Sequence, residues 1–355
     1  MSDTRGTLAV VGAGVIGLSV AWRAQQAGWA VTVIDSHPSR GASWAAAGML
    51  APITEAHPSE PGLLRIGLES AAMWPEFAAD LNHESGQSCG FREDGTLVIG
   101  YDRDDAEYIR RLAEHLREWN LAAEPWTTAQ RQVNAPAIAP MVAASLFVPG
   151  DHSIDNRSML GALQAVTDRH DVPILRSRVR SVTPTSVELV GGDSFECDAV
   201  AVCAGIDSIG IIPELPVRPV KGQIIRARTG ERTGELLTHT IRAHVRGRSV
   251  YLVPRRNGEI VIGASVEERG RDTSVTIGPI SDLLEDARLI VPGIDECELV
   301  ETWAGLRPTT PNNMPIVENR DGVVIATGHG RNGFLLSPWT AATVNGLLDE
   351  IRPAS

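Results

Sequence analysis

The run Leu8-Ala9-Val10-Val11-Gly12-Ala13-Gly14-Val15-Ile16-Gly17 constrains the fold more than any other part of the chain. Leu8 to Val11 is a short continuous apolar stretch, as for a strand buried on both faces. Glycines with the spacing G-x-G-x-x-G follow at once. Leu18 to Ala27 then reads as a helix, with Gly28 as its stop. Ala30-Val31-Thr32-Val33-Ile34 is a second strand, ending at Asp35. Strand, glycine turn, helix and strand make a βαβ unit. In that setting each glycine has a physical task. Gly12 allows the tight turn, Gly14 lets backbone approach a pyrophosphate, and Gly17 lets the helix pack closely on the strand. The helix N-terminus offers unpaired N–H groups and positive dipole to an anion. Asp35 is placed to accept hydrogen bonds from ribose hydroxyls, and its charge disfavours a 2′-phosphate. The motif predicts a dinucleotide other than NADP and leaves FAD and NAD open.

Bulk properties narrow the field further. The chain has 355 residues, room for one large domain or two ordinary ones. Hydrophobic residues make up 43% and charged residues 21%, a globular and not a disordered composition. The formal charge is −12, so a phosphate backbone is repelled and nucleic acid is not an expected partner. Cys89, Cys197, Cys203 and Cys297 form no C-x-x-C pair and have no histidine at ligand spacing, which argues against a metal site or a disulfide framework. No apolar stretch approaches the roughly 20 residues of a membrane span. Leu8 to Ala21, following Arg5, mimics a short secretory signal, but Gly12, Gly14 and Gly17 interrupt it. A cytoplasmic, membrane-free protein is expected.

Beyond the first βαβ unit, helices are expected over Pro61–Leu81, Asp104–Trp119, Asp155–His170, Leu283–Ile290 and from Pro338 to about Ile351. In the second of these, Tyr108, Leu112 and Leu116 form an apolar stripe at helical spacing. Pro338 after Ser337 suits a helix N-terminus. Short strands alternate with turns from Ile174 to Cys203. Longer ones are expected at Val217–Arg228, Tyr251–Pro254, Ile260–Gly263 and Glu298–Arg307, with a hairpin turn at Asn257-Gly258. Parallel-type strands and helices occupy both ends of the chain, with β-rich material between. The expected fold is α/β, a Rossmann-like domain assembled from residues 1–85, 145–215 and 300–355. An antiparallel-sheet α+β domain, residues 86–144 and 216–299, is inserted into it.

Three further motifs carry a resemblance. Ala45-Ala46-Ala47-Gly48-Met49-Leu50-Ala51-Pro52, Trp303-Ala304-Gly305-Leu306-Arg307-Pro308 and Gly328-His329-Gly330-Arg331-Asn332-Gly333 are similar to segments of the D-amino acid oxidase superfamily. Within it the chain most resembles the glycine oxidases of thiamine biosynthesis, over Val10 to Leu348. The resemblance implies an FAD-binding domain of glutathione-reductase type and non-covalent FAD. The C-terminal cysteine that attaches flavin in sarcosine oxidases has no counterpart, since Cys297 is the last cysteine. Carried over, Gly12, Gly14, Val15, Ile16, Gly17, Asp35 and Ser36 serve the adenosine and pyrophosphate end. Ala42, Ser43, Ala47, Gly48 and Met49 lie against the flavin and its ribityl chain, where a flat ring needs close backbone approach. Val179 holds the adenine through its backbone. His329, Gly330, Arg331, Asn332, Gly333, Phe334 and Leu335 wrap the pyrimidine edge.

The resemblance also implies a substrate site. Arg307 clamps the substrate carboxylate, a role for which a planar guanidinium with parallel N–H donors is suited. Tyr251 faces the same carboxylate, and Arg331 contacts either substrate or flavin, or holds the loop by a salt bridge. Val266 stands where a methionine lines the pocket in the family, and Trp44 where a serine is familiar. Trp44 is either a pocket wall or a packing residue. His329 is expected to be a hydrogen bonder of the loop and not a proton carrier. The implied reaction is oxidative deamination of glycine or a similarly small amine. A hydride passes to flavin, O2 reoxidises it to give H2O2, and the imine feeds thiazole formation. The rivals are a D-amino acid dehydrogenase passing electrons to a quinone, a flavin-binding protein without turnover, and an NAD-linked dehydrogenase. Homo-oligomerisation is left open.

Overall fold

A computed structural model describes residues 5–231 and 233–351 of the protein. The first βαβ unit forms as its pattern predicts. The apolar run is the strand Thr7–Val11, the helix spans Val15–Gln26, and Ala30–Ile34 is the second strand, parallel to the first. Gly28 lies just past the helix end at φ +96°, where a side chain would be strained.

These strands sit in a six-stranded sheet of order Ile316–Arg320, Val323–Thr327, Ala199–Val202, Thr7–Val11, Ala30–Ile34, Ile174–Leu175. All neighbours pair in parallel except the first two. Successive strand residues face opposite sides, and both sides are covered. Leu8 and Val10 enter a core with the helices Val15–Gln26, Pro61–Ser85, Asn156–Arg169 and Ser337–Asp349. Ala9 and Val11 meet Val187 and Leu189 of a small antiparallel sheet, Val179–Thr183, Ser186–Leu189 and Ser194–Glu196. Ser337–Asp349 begins where Pro338 suits its first turn, so the proline introduces no internal kink.

The second layer is an eight-stranded sheet of order Glu298–Thr309, Arg218–Arg228, Glu259–Gly263, Arg248–Pro254, Thr240–Val245, Thr96–Gly100, Ala144–Val148, Glu124–Pro125. The expected hairpin is present, its turn carrying Gly258 at φ +80°. Helix Ile277–Ile290 packs on one part of this sheet, and Arg103–Glu118 covers another.

Two strands pair across the expected domain bounds. The strands Ala144–Val148 and Glu298–Thr309, most of whose residues fall within the stretches expected for the Rossmann-like domain, hydrogen-bond within the larger sheet. Glu298–Thr309 runs antiparallel to Arg218–Arg228 over the full ladder from Arg218↔Thr309 to Arg228↔Glu298. The stripe on Arg103–Glu118 also shifts. Ile109, Leu112 and Leu116 face the core, while Tyr108 is 41% exposed and lies over the His244 ring.

Candidate active site

The two sheets meet at a cavity of about 1080 Å³, slightly above the usual range for ligand pockets. At one end is the glycine turn. A side chain at Gly12 would strike the Cys203 carbonyl at 2.5 Å, and one at Gly17 would strike the Gly12 carbonyl at 1.9 Å. Gly17 therefore serves the close approach of helix to strand and does not line the cavity. Gly14 differs: a Cβ there would meet only Ser43 Oγ, at 3.2 Å. Its missing side chain leaves room in the cavity and not in the protein.

Helix Val15–Gln26 starts at this turn with glycine as its N-cap residue and no acidic residue in its first turn. Its positive end thus stays available to an anion. The Asp35 carboxylate accepts from the Ala13 and His37 N–H groups, each at 2.7 Å, which holds it at the cavity edge beside Ser36. Ser43 Oγ accepts from the Val15 N–H at 3.0 Å and joins the small-residue segment to the helix start. Val179 lines the cavity next to Arg178 and Arg180.

The middle of the cavity is walled by Ala42, Ser43, Ala45, Ala46, Ala47, Gly48 and Met49. Gly48 has φ +68°, and a side chain there would meet the Ile154 carbonyl at 2.1 Å. Gly305 lets its strand approach Ala45, where a Cβ would come within 2.6 Å. Opposite lies the loop from His329 to Phe334. His329 is buried, and burial pushes its imidazole pKa down to about 3, so the neutral ring hydrogen-bonds Thr340 Oγ1 at 2.9 Å. Leu335 turns away from this cavity: its side chain joins the helical core and its carbonyl accepts from Ser70 and Trp74. Trp44 packs as well. It lies off the cavity, under the Arg157 guanidinium at 4.0 Å.

The far end is built on the eight-stranded sheet. Tyr251 and Arg307 project from strands of this sheet, and each is accommodated by a glycine. A Cβ at Gly222 would lie 2.4 Å from Arg307 Nη2, and one at Gly263 would lie 2.2 Å from the Tyr251 hydroxyl. Arg307 donates to the Ser265 carbonyl at 3.1 Å, and among the described residues it has no carboxylate partner. Burial raises the Tyr251 pKa, opposed by the nearby Arg307 and Arg242, so the phenol stays protonated at neutral pH. Val266 lines the cavity but is 77% exposed, which places it at the mouth and not on an inner wall.

Arg331 is engaged by acids: it bonds Glu55, and Glu60 lies 3.6 Å away. Glu55 also accepts from Arg242 at 2.6 Å. Burial pushes the Glu55 carboxyl up, but the two guanidinium groups outweigh it and hold the pKa at about 2. The sequence reading did not single out Glu55, Arg242, Gly222 or Gly263. Arg242 stands opposite Tyr251 in the strand register, a relation that no local spacing reveals.

These features fit an extended cofactor with a pyrophosphate at one end and a flat ring at the other. A family model described as FAD dependent oxidoreductase matches residues 7–346, nearly the whole chain. The chain belongs to this DAO family and is an FAD-dependent oxidoreductase. Among individual proteins it is similar to the glycine oxidase of Geobacillus kaustophilus, 29% identical over 98% of this chain and 94% of that protein. The crystal structure of a glycine oxidase from that organism superposes with a TM-score of 0.90, covering 99% of this chain and 95% of the other at 27% identity. A putative thiamine biosynthesis oxidoreductase ThiO of Rhizobium etli is 30% identical over 94% of each chain. The expected fold class and cofactor hold. Among the described residues no helix is long and apolar enough to cross a membrane.

Proposed function

We propose that the protein oxidises glycine, or an amine of similar size, at the end of the cavity carrying Arg307. One observation carries this reading. Three arginines line that end, Arg242, Arg307 and Arg331, and Glu55 engages two of them. Arg307 alone among the three has no acid beside it in the described residues, which matches one substrate carboxylate. The likeness to glycine oxidases supports a small amino acid as substrate.

FAD, when bound, supplies the acceptor for a hydride from the substrate α-carbon, and O2 restores it with release of H2O2. The chain's own residues bind and orient. Arg307 donates paired hydrogen bonds to the carboxylate, and the protonated Tyr251 donates a further one. Together they fix the α-carbon toward the flavin wall formed by Ala47, Gly48 and Met49. No side chain is assigned as a proton acceptor: His329 is committed to Thr340, and the Glu55 carboxylate to two arginines. No protein base would be needed for an amine substrate whose nitrogen lone pair is free, so these residues would bind and orient only. The imine then serves thiazole formation in thiamine biosynthesis, a placement that rests on the names of relatives such as ThiO. The protein is read as cytoplasmic.

Oxygen consumption over glycine, sarcosine, D-alanine and D-proline tests the reading. Stoichiometric H2O2 with glycine in air is expected. Turnover only with an added quinone would establish a dehydrogenase instead, and no turnover with any of the four would refute the substrate class.

A further inference from the structure

The flavin wall, residues 42–49, is held from behind by a buried polar cluster that the reaction does not use. Its two central members are Asn156 and Arg255, both buried. Helix Ala42–Ala45 has only four residues, so its last carbonyls lack intrahelical partners. Asn156 Nδ2 donates to two of them, Ser43 at 2.9 Å and Trp44 at 3.0 Å. Arg255 donates to the Ala47 carbonyl and also to that of Ile154, at 2.9 Å. The Ile154 carbonyl is the atom that forbids a side chain at Gly48, and the Ile154 N–H bonds the Gly48 carbonyl at 2.8 Å.

A second tier holds the first. Asn156 Oδ1 accepts from Arg226 at 2.8 Å, which fixes the amide so that Nδ2 faces the wall. Arg226 in turn meets Glu259 at 3.2 Å and Glu301 at 3.5 Å. A buried guanidinium is costly unless its donors are used. The acid at ion-pair distance from Arg255 is Asp155, at 4.0 Å, and Asn156 Oδ1 accepts from it at 3.4 Å, so its burial is offset mainly by the carbonyls it grips.

In a trans peptide the C=O of one residue and the N–H of the next point in opposite directions. Drawing the Ala47 carbonyl back therefore turns the Gly48 N–H toward the opposite side. Gly48 lines the cavity there. We propose that Asn156 and Arg255 are positioning residues for FAD, setting the backbone of residues 43–48 from behind so that the wall accepts the isoalloxazine. This rests on the assignment of that wall to the flavin and extends it to residues that line no part of the cavity.

Asn156→Asp tests the grip with little change of shape. It keeps acceptors for Arg226 and Arg255 but loses the donors to Ser43 and Trp44. The FAD Kd of the purified holoenzyme, read by ultrafiltration, is expected to rise at least tenfold, with a displaced long-wavelength absorption band. Arg255→Lys keeps the charge but cannot reach both carbonyls at once, and is expected to raise Kd threefold or more. Arg228→Gln removes an exposed partner of Glu259 at the rim of the cluster and should leave Kd and spectrum unchanged. The glycine KM of flavin-loaded variants should stay within twofold of wild type, because Arg307 is untouched. A folded Asn156→Asp protein with wild-type Kd and spectrum would overturn the proposal. If that variant fails to fold, wild-type values for Arg255→Lys would overturn it. Failure of the wild-type protein to bind FAD stoichiometrically would instead refute the cofactor site itself.

Discussion

The two ends of the cavity solve one problem, holding an anion, by different means. At the dinucleotide end the donors are backbone N–H groups at the start of Val15–Gln26, prepared by glycines within six residues of one another. At the proposed substrate end the donor would be the side chain of Arg307, seated by Gly222 from a neighbouring strand and beside Tyr251 from another. A backbone site is part of the fold and hard to lose without a steric block. A side-chain site can be removed by one truncation and leave the fold intact.

That contrast can be broken by mutation. The largest effect is expected from Gly14→Val. A side chain there has room against the protein, with only Ser43 Oγ near at 3.2 Å, so the chain should fold. The branched group would occupy the pyrophosphate position, and the purified protein should lack flavin absorbance. Retained flavin would refute the backbone site.

Arg307→Ala should come next. Losing a charged hydrogen-bond donor costs about 2 kcal/mol, which raises the glycine KM roughly tenfold or more with FAD still bound. An unchanged KM would break the side-chain half of the comparison. Gly263→Ala sharpens it further. The new Cβ would lie 2.2 Å from the Tyr251 hydroxyl, so the ring must move while FAD contacts stay in place. A loss of about 1 kcal/mol, near fivefold in glycine KM, is expected without change in FAD affinity. Steady-state kinetics with a flavin-to-protein ratio on the same sample separates the two.

The last effect, similar in size but on stability and not on binding, concerns the loop between the two ends. The folded protein holds His329 near a pKa of about 3, whereas the unfolded chain protonates it near 6.5. The unfolded state therefore binds the proton first, and stability is lost as pH falls from 6.5 toward 3. His329→Gln should remove this dependence, flattening the fall in unfolding free energy between pH 7 and 5.5 by about 1 kcal/mol. Parallel urea titrations of the two proteins at those pH values would measure it, and equal slopes would refute the assignment.

Legibility followed the same divide. The βαβ unit was readable because its glycines, helix and strands are contiguous, although only Gly17 answers a local contact, with Gly12, while the Gly12 turn presses on Cys203. Asp35 was readable for the same reason. Arg307 was found by likeness to a family motif, and the pairing of its strand with Arg218–Arg228 is a long-range choice that no local pattern reveals. Glu55, Arg242, Asn156 and Arg255 gave no local signal at all. Glu55 meets Arg242 across 187 positions of sequence, and Arg255 meets Ala47 across 208.

By itself the sequence determined that this chain binds a dinucleotide on a parallel sheet, because close approach and positive φ are local demands that only glycine meets. The tertiary structure decided which arginine lacks an acid beside it among the described residues, which glycines make room for Tyr251 and Arg307, and what holds residues 43–48 from behind. Each of those depends on charge neutralisation or steric contact between segments that only the folded sheets bring together.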